Sequence, residues 1–224
     1  IGHGVAAAAV AGALLAVLPA AAMPVQWTIA AGGNDHWYEL VLDTGKGWNA
    51  ARTDAVARGG DLVSILGGAE QTFLISTFFN VTPPAPYGSY WIGLNDAASE
   101  RGTATEGWVW SNGDPYAYHF FATASSQPDN NTSDQFGGAD GEDYVQIVWR
   151  PDGAYPSQGA WNDAREAGYS FAEGSGLTHL NRQGYIVEYD TAVVPVPAAL
   201  PLFATALAGL GLLARRRRRA RAGG

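Results

Sequence analysis

Two strand-like segments of the same make-up stand at opposite ends of the middle of this chain. His36-Trp37-Tyr38-Glu39-Leu40-Val41-Leu42 and Gly184-Tyr185-Ile186-Val187-Glu188-Tyr189 are both rich in aromatic and branched residues, the make-up of a strand that packs on at least one face. Pairing them would bring the two ends of one domain together. Between them the chain changes character. Trp48 to Ala57 has helical composition and is stopped by Gly59-Gly60. Leu62-Val63-Ser64-Ile65 is a short extended piece. A second helix starts at Gly68-Ala69-Glu70-Gln71, with Phe73, Leu74, Thr77 and Phe78 at helical spacing, and Pro83-Pro84 closes the section. From Tyr90 onward the helical signal gives way to short strands and glycine-rich loops. Two helices early and strands late, closed by a terminal strand pair, make an α+β domain.

Composition narrows the chemistry. All 21 acidic residues but only 7 of the 13 Lys and Arg fall between Met23 and Asp190, a formal charge of −14 for that body. Such a body lacks the basic face that nucleic-acid binding needs. The chain has no cysteine, which excludes disulfides, thiolate catalysis and Cys-based zinc sites. Its core must therefore be held by packing, for which 8 Trp, 10 Tyr and 8 Phe supply the apolar area.

Both ends read as addresses. Val5 to Leu18 is apolar and is followed by Pro19 and Ala20-Ala21-Ala22, so residues 1–22 have the pattern of a signal peptide. The chain starts with Ile and no Lys or Arg precedes the apolar run, as expected of a truncated start. At the other end, Val194-Pro195-Val196-Pro197-Ala198 leads into an apolar segment, 198–214, and then Arg215 to Arg219 and Arg221. That length suits a transmembrane helix, with the arginines holding the C-terminus in the cytoplasm. The order of proline motif, apolar helix and arginine cluster over 194–222 resembles the PEP-CTERM sorting signal in its VPxPA form. The resemblance implies a Gram-negative, exopolysaccharide-making bacterium and an exosortase-type processing enzyme. The domain would then be exported to the cell surface or extracellular matrix, with a transient inner-membrane anchor.

The stretch from Gln127 to Asp163 carries the chemistry. Gln127-Pro128-Asp129-Asn130, Gly141-Glu142-Asp143 and Trp161-Asn162-Asp163 put carboxylates and side-chain amides on loop-like sequence beside two strand-like segments. Those are the ligands of a hard cation such as calcium, which takes six to eight oxygens.

Tyr90-Trp91-Ile92-Gly93-Leu94, Trp108-Val109-Trp110-Ser111-Asn112-Gly113 and the three pieces just quoted occur in the order that resembles a C-type lectin-like domain, over residues 36–190. The resemblance implies a C-type lectin-like fold: two helices, small antiparallel sheets, a long loop region and paired N- and C-terminal strands. It makes Gln127, Asp129, Glu142, Asn162 and Asp163 the calcium ligands and, through the same groups, the sugar-binding residues. The Asp163 carbonyl is a further ligand candidate. Pro128 between two ligands suggests a cis bond aiming Gln127 and Asp129 at one centre. The Gln-Pro-Asp order resembles that of galactose-type members. This chain departs from the family pattern in lacking its cysteines, with Tyr144 and Val187 near their places, and in longer loops over 127–142 and 148–159.

Phe136, Trp149 and Tyr155 are candidates for stacking on a sugar face. Asp134, Asp140, Asp143 and Glu166 could form a second cation site, although a solvated acidic loop is the plainer reading. Trp91, Ile92, Leu94 and Trp161 read as core, and His36, His119 and His179 as structural or exposed. The expected function is calcium-dependent carbohydrate binding. The alternative is a calcium-independent adhesion or protein-binding module on the same fold. An enzyme is not expected, because a cation would occupy the paired carboxylates Glu142 and Asp163 that glycoside hydrolysis would need.

Overall fold

The computed structural model describes residues 23–81, 86–96, 107–134, 136, 141–150, 159–172 and 175–191. The expected signal peptide and C-terminal helix lie outside them. Among the described residues no helix is long and apolar enough to cross a membrane.

The elements run β1 (Val25–Gln26), β2 (Trp37–Leu42), α1 (Trp48–Ala57), β3 (Asp61–Leu62) and α2 (Gly68–Leu74), the last extended by a π turn over Ile75–Phe79. Then come β4 (Gly88–Asn95), β5 (Val109–Trp110), β6 (Tyr144–Trp149), β7 (Trp161–Ala164) and β8 (Arg182–Tyr189). The terminal strands do pair. β2 and β8 are antiparallel from Trp37↔Tyr189 to Leu42↔Gly184. The strands join one mixed α+β sheet in the order β1-β2-β8-β4-β6-β7, with β3 on β8 and β5 on β4. The β4–β8 pair is its parallel step.

Both faces of this sheet are buried, which explains why its strands read as near-continuous apolar runs. Side chains on a strand alternate between faces. Tyr90, Ile92, Ile147, Trp149 and Ile186 point to the face covered by α2, where Leu74, Phe78 and Phe79 pack. Trp91, Val148, Tyr185, Val187 and Tyr189 point to the other, where α1 lays down Trp48, Ala51 and Ala55. Gly47 has no side chain to cap α1. Glu166 supplies the acceptors instead, its carbonyl to the Trp48 N–H at 2.9 Å and its Oε1 to the Asn49 N–H at 3.1 Å.

Gly93 is glycine for a packing reason. Its N–H donates to the Val63 carbonyl at 2.9 Å, and a Cβ there would stand 2.7 Å from the Leu62 carbonyl oxygen. Only glycine lets these backbones approach so closely.

One largely buried polar network lies beside the terminal strand pair. The Tyr38 hydroxyl lies 2.6 Å from Glu70 Oε1 and 3.2 Å from Glu188 Oε1. The backbone N–H groups of Leu66 and Ser64 donate to the second oxygens of Glu70 and Glu188, and His36 Nδ1 is 2.7 Å from Glu188. Burial, with the Glu188 charge behind it, raises Glu70 from 4.5 to about 7. Burial raises Glu188 too. In His36 burial acts downward, but the hydrogen bond and charge of Glu188 outweigh it and the net shift is up.

All three groups bind protons more tightly folded than unfolded, so their contribution is full in acid and is lost as pH rises. For Glu70 that loss runs from about pH 4.5 to about pH 7. Circular-dichroism melts in chelator should therefore show a melting temperature that falls by a few degrees over this window, and Glu70→Gln should flatten part of the fall. Gly93→Ala should lower stability by about 1–3 kcal/mol, read from the denaturant midpoint; an unchanged midpoint would refute the close-approach account.

Candidate metal centre

The site is assembled on the β6–β7 hairpin. Antiparallel pairing sets Val145 against Asp163 and Gln146 against Asn162, while Glu142 lies just ahead of β6. A separate loop, 127–131, is strapped across them by reciprocal hydrogen bonds. The N–H groups of Asp129 and Asn130 converge on Asp163 Oδ2 at 3.0 and 2.7 Å. The Asn131 N–H donates to Glu142 Oε2 at 3.0 Å, and the Glu142 N–H donates to Asn130 Oδ1 at 2.8 Å. Asn130 has a positive φ of 43°, a conformation that Asn tolerates better than most residues. Gly141 is the matching requirement on the other side. Its φ is +76° and a Cβ would clash with Asn130 Oδ1.

The carboxylates of Asp129, Glu142 and Asp163 each place an oxygen within 4.8 Å of the others. Gln127 and Asn162 line a cavity of about 430 Å³ together with Asp129 and Glu142. All five expected residues thus meet in one place, and the Gln127–Pro128 bond is cis. The Asp163 carbonyl accepts from Asn162 Nδ2, so that oxygen is engaged within the protein.

The electrostatics are those of crowded negative charge. Burial pushes Glu142 up to about 10, with the Asp163 charge next and that of Asp129 adding to it. Burial likewise raises Asp163 to about 7, against the pull of the Asn130 N–H. Two buried acceptors here, Gln127 Oε1 and Asp163 Oδ1, have no hydrogen-bond donor among the described residues. A buried acceptor left without a partner costs about 1–3 kcal/mol. A cation among these oxygens would satisfy both orphans and offset the repulsion. The donor set is all oxygen, which suits calcium and not zinc. The residues present fit such an ion.

Other expectations fare differently. Trp149 is not a sugar platform. It is buried against Phe79, ring centroids 5.3 Å apart, because the alternation of β6 turns it inward with Val145 and Ile147. Phe136 does line the cavity, backed by Tyr169 at 5.7 Å and Phe171 at 5.9 Å. Tyr155 lies outside the described residues. The second cation site does not form among the described residues, where the carboxylates of 129, 142 and 163 are the one such group. Glu166 caps α1, Asp134 is exposed, and Asp143 lies beside Asp96, whose carboxyl is raised to about 7 by burial and the Asp143 charge. Asp140 is not described.

Two cavity residues escaped the sequence reading. His179 reads as structural, yet it lines the cavity, as does Arg150.

No family model matches the chain. Human asialoglycoprotein receptor 2 is 29% identical over 140 residues, which is 62% of this chain and 36% of that protein. The chain thus spans about a third of the length of that curated relative. Among solved structures it is similar to a mouse scavenger receptor C-type lectin carbohydrate-recognition domain (TM-score 0.48, 21% identity, 80% of this chain and 100% of that one). It is also similar to the C-type lectin CEL-I from Cucumaria echinata, with a TM-score of 0.46 and 26% identity over 70% of this chain and 91% of that one.

Proposed function

We propose that this domain binds carbohydrate through a calcium ion held by Gln127, Asp129, Glu142, Asn162 and Asp163. The observation that carries the reading is the gathering of three carboxylates within 4.8 Å, where Asp163 Oδ1 and the nearby Gln127 Oε1 are buried with no donor among the described residues. Calcium keeps coordination positions for outside oxygens, and two vicinal sugar hydroxyls would take them. The hydroxyl protons would then donate to the same carboxylates, and the amide nitrogens of Gln127 and Asn162 would donate to the hydroxyl oxygens. Similarity to a receptor named for asialoglycoproteins supports a glycan ligand. The Gln-Pro-Asp order favours galactose-type sugars. The protein's place is outside the cytoplasm, delivered by the signal peptide and, through its PEP-CTERM-like tail, by an exosortase-type enzyme. No residue pattern here supports an enzymatic role.

Calcium in the millimolar range should raise the melting temperature by several degrees relative to chelator, because an ion that binds only the folded state stabilises it. Asp163→Asn should abolish that rise. It keeps an oxygen for the Asp129 and Asn130 N–H groups and removes one repelling charge, so in chelator it should melt no lower than the parent. A variant that loses stability equally with and without calcium would show Asp163 to be structural and refute the site. Galactose should then bind in calcium and not in chelator. A calcium response with silence across a glycan array would instead favour protein binding.

A further inference from the structure

A second cavity adjoins the first across the cis-proline loop. It holds about 400 Å³ and is walled by Trp108, Tyr116, His119, Phe121 and Pro128. Gln127 lines both cavities, whereas Asp129 lines the first alone and Pro128 the second alone. Three successive residues thus pass from one cavity to the other, with Gln127 as the shared wall. The aromatic walls are anchored in the core. Trp108 and Phe121 are buried, with ring centroids 5.4 Å apart. Phe121 also meets Trp161 edge-on, at 5.7 Å and 77°, and its backbone bridges that residue. Tyr116, partly buried, stands edge-on to Trp110 at 6.5 Å, and the exposed His119 ring lies 6.5 Å from Tyr116.

We infer that this aromatic cleft is the subsite of a second sugar ring, so that the ligand is an oligosaccharide rather than a single sugar. The first ring meets the cation and the next one lies in the cleft. The inference rests on the calcium-dependent sugar reading above. Neighbouring rings of a glycan are joined through one oxygen, so a second subsite has to share a wall with the first. Gln127 is that wall. A pyranose has an apolar C–H face and a rim of hydroxyls, and the cleft answers both. Tyr116, Trp108 and Phe121 offer apolar ring surface, while Gln127 and His119 bring polar atoms to its edge. Among the described residues no carboxylate, Lys or Arg lines it. The cleft therefore selects by shape and apolar contact, not by charge. Its volume is enough for one ring.

Methyl β-galactoside fills the first subsite alone, whereas lactose and the β1,3- and β1,6-linked galactobioses add a second ring at different angles. Each is titrated calorimetrically against the full chain in detergent with saturating calcium. At least one disaccharide should bind about tenfold tighter than methyl β-galactoside, the return of one apolar ring face buried on aromatic surface. Its heat capacity of binding should be the more negative. The ratio should hold at high salt, since the cleft carries no charge. Tyr116→Ala should bring the ratio close to one and leave the calcium melting shift and the methyl β-galactoside affinity as they are. His119→Ala, at an exposed position, should remove part of the gain. A panel in which no disaccharide exceeds the monosaccharide would overturn the inference and leave the sugar reading standing. A gain that survives both substitutions places the second ring elsewhere, and the inference falls. Silence of every sugar beside an intact calcium shift overturns the sugar reading and the inference together. If Tyr116→Ala does not fold, His119→Ala decides, and an unchanged ratio there overturns the inference.

Discussion

Mutual repulsion among Asp129, Glu142 and Asp163 is the force against which the loop side of this domain is built. Two of the three carboxylates are held by contacts that do not depend on a counter-ion: Asp163 by two backbone N–H groups and Glu142 by the Asn131 N–H. Backbone donors favour the charged form without neutralising it. Burial and mutual repulsion nevertheless raise Glu142 and Asp163, so without a cation the cluster holds on to protons while its oxygens stay aimed inward, a state that a hard cation would relieve. An apolar packing of the same backbone would be quieter and chemically inert.

Holding such a cluster without disulfides calls for a rigid base. A chain with no cysteine must find rigidity in packing, and here the sheet is covered on both faces, by α2 on one and α1 on the other. The parallel β4–β8 contact joins the terminal strand pair to the strands that carry the site, so the first and last segments of the domain bear on the geometry of β6 and β7. That is the structural content of the resemblance between the two terminal strands.

Much of this was legible because it is local. Helix α1 ends where Gly59-Gly60 follows, and Trp91, Ile92 and Leu94 are fully buried, as a near-continuous run of large apolar residues implies. The five ligand candidates meet because three short pieces each keep their residues adjacent: a hairpin needs only register to bring Glu142 near Asp163. What failed was long-range. Glu166 looks like a spare carboxylate until α1, more than a hundred residues earlier in the chain, turns out to lack a capping side chain. Trp149 looks available until β6 is given a register that turns it inward. His179 and Arg150 look unremarkable because nothing near them in sequence shows that β6 and the segment before β8 wall the same cavity.

Helix α2 links the terminal strand pair to the carboxylate cluster through adjacent residues. Glu70 joins Tyr38 and Glu188 at the terminal strand pair. Gln71, one step on, holds the entry to β7 with both ends of its amide: its Nε2 donates to the Gly159 carbonyl at 2.9 Å, and its Oε1 accepts from Trp161 Nε1 at 2.9 Å. Trp161 immediately precedes Asn162 and Asp163, and its backbone is bonded in turn to Phe120 and Ala122, from which the chain runs to Gln127. The strand and the start of the loop that carry the candidate ligands are thus positioned by the core. A site ordered beforehand loses little conformational freedom when it is filled. Packing here does the work of orientation, so a cation bound by these carboxylates would not have to.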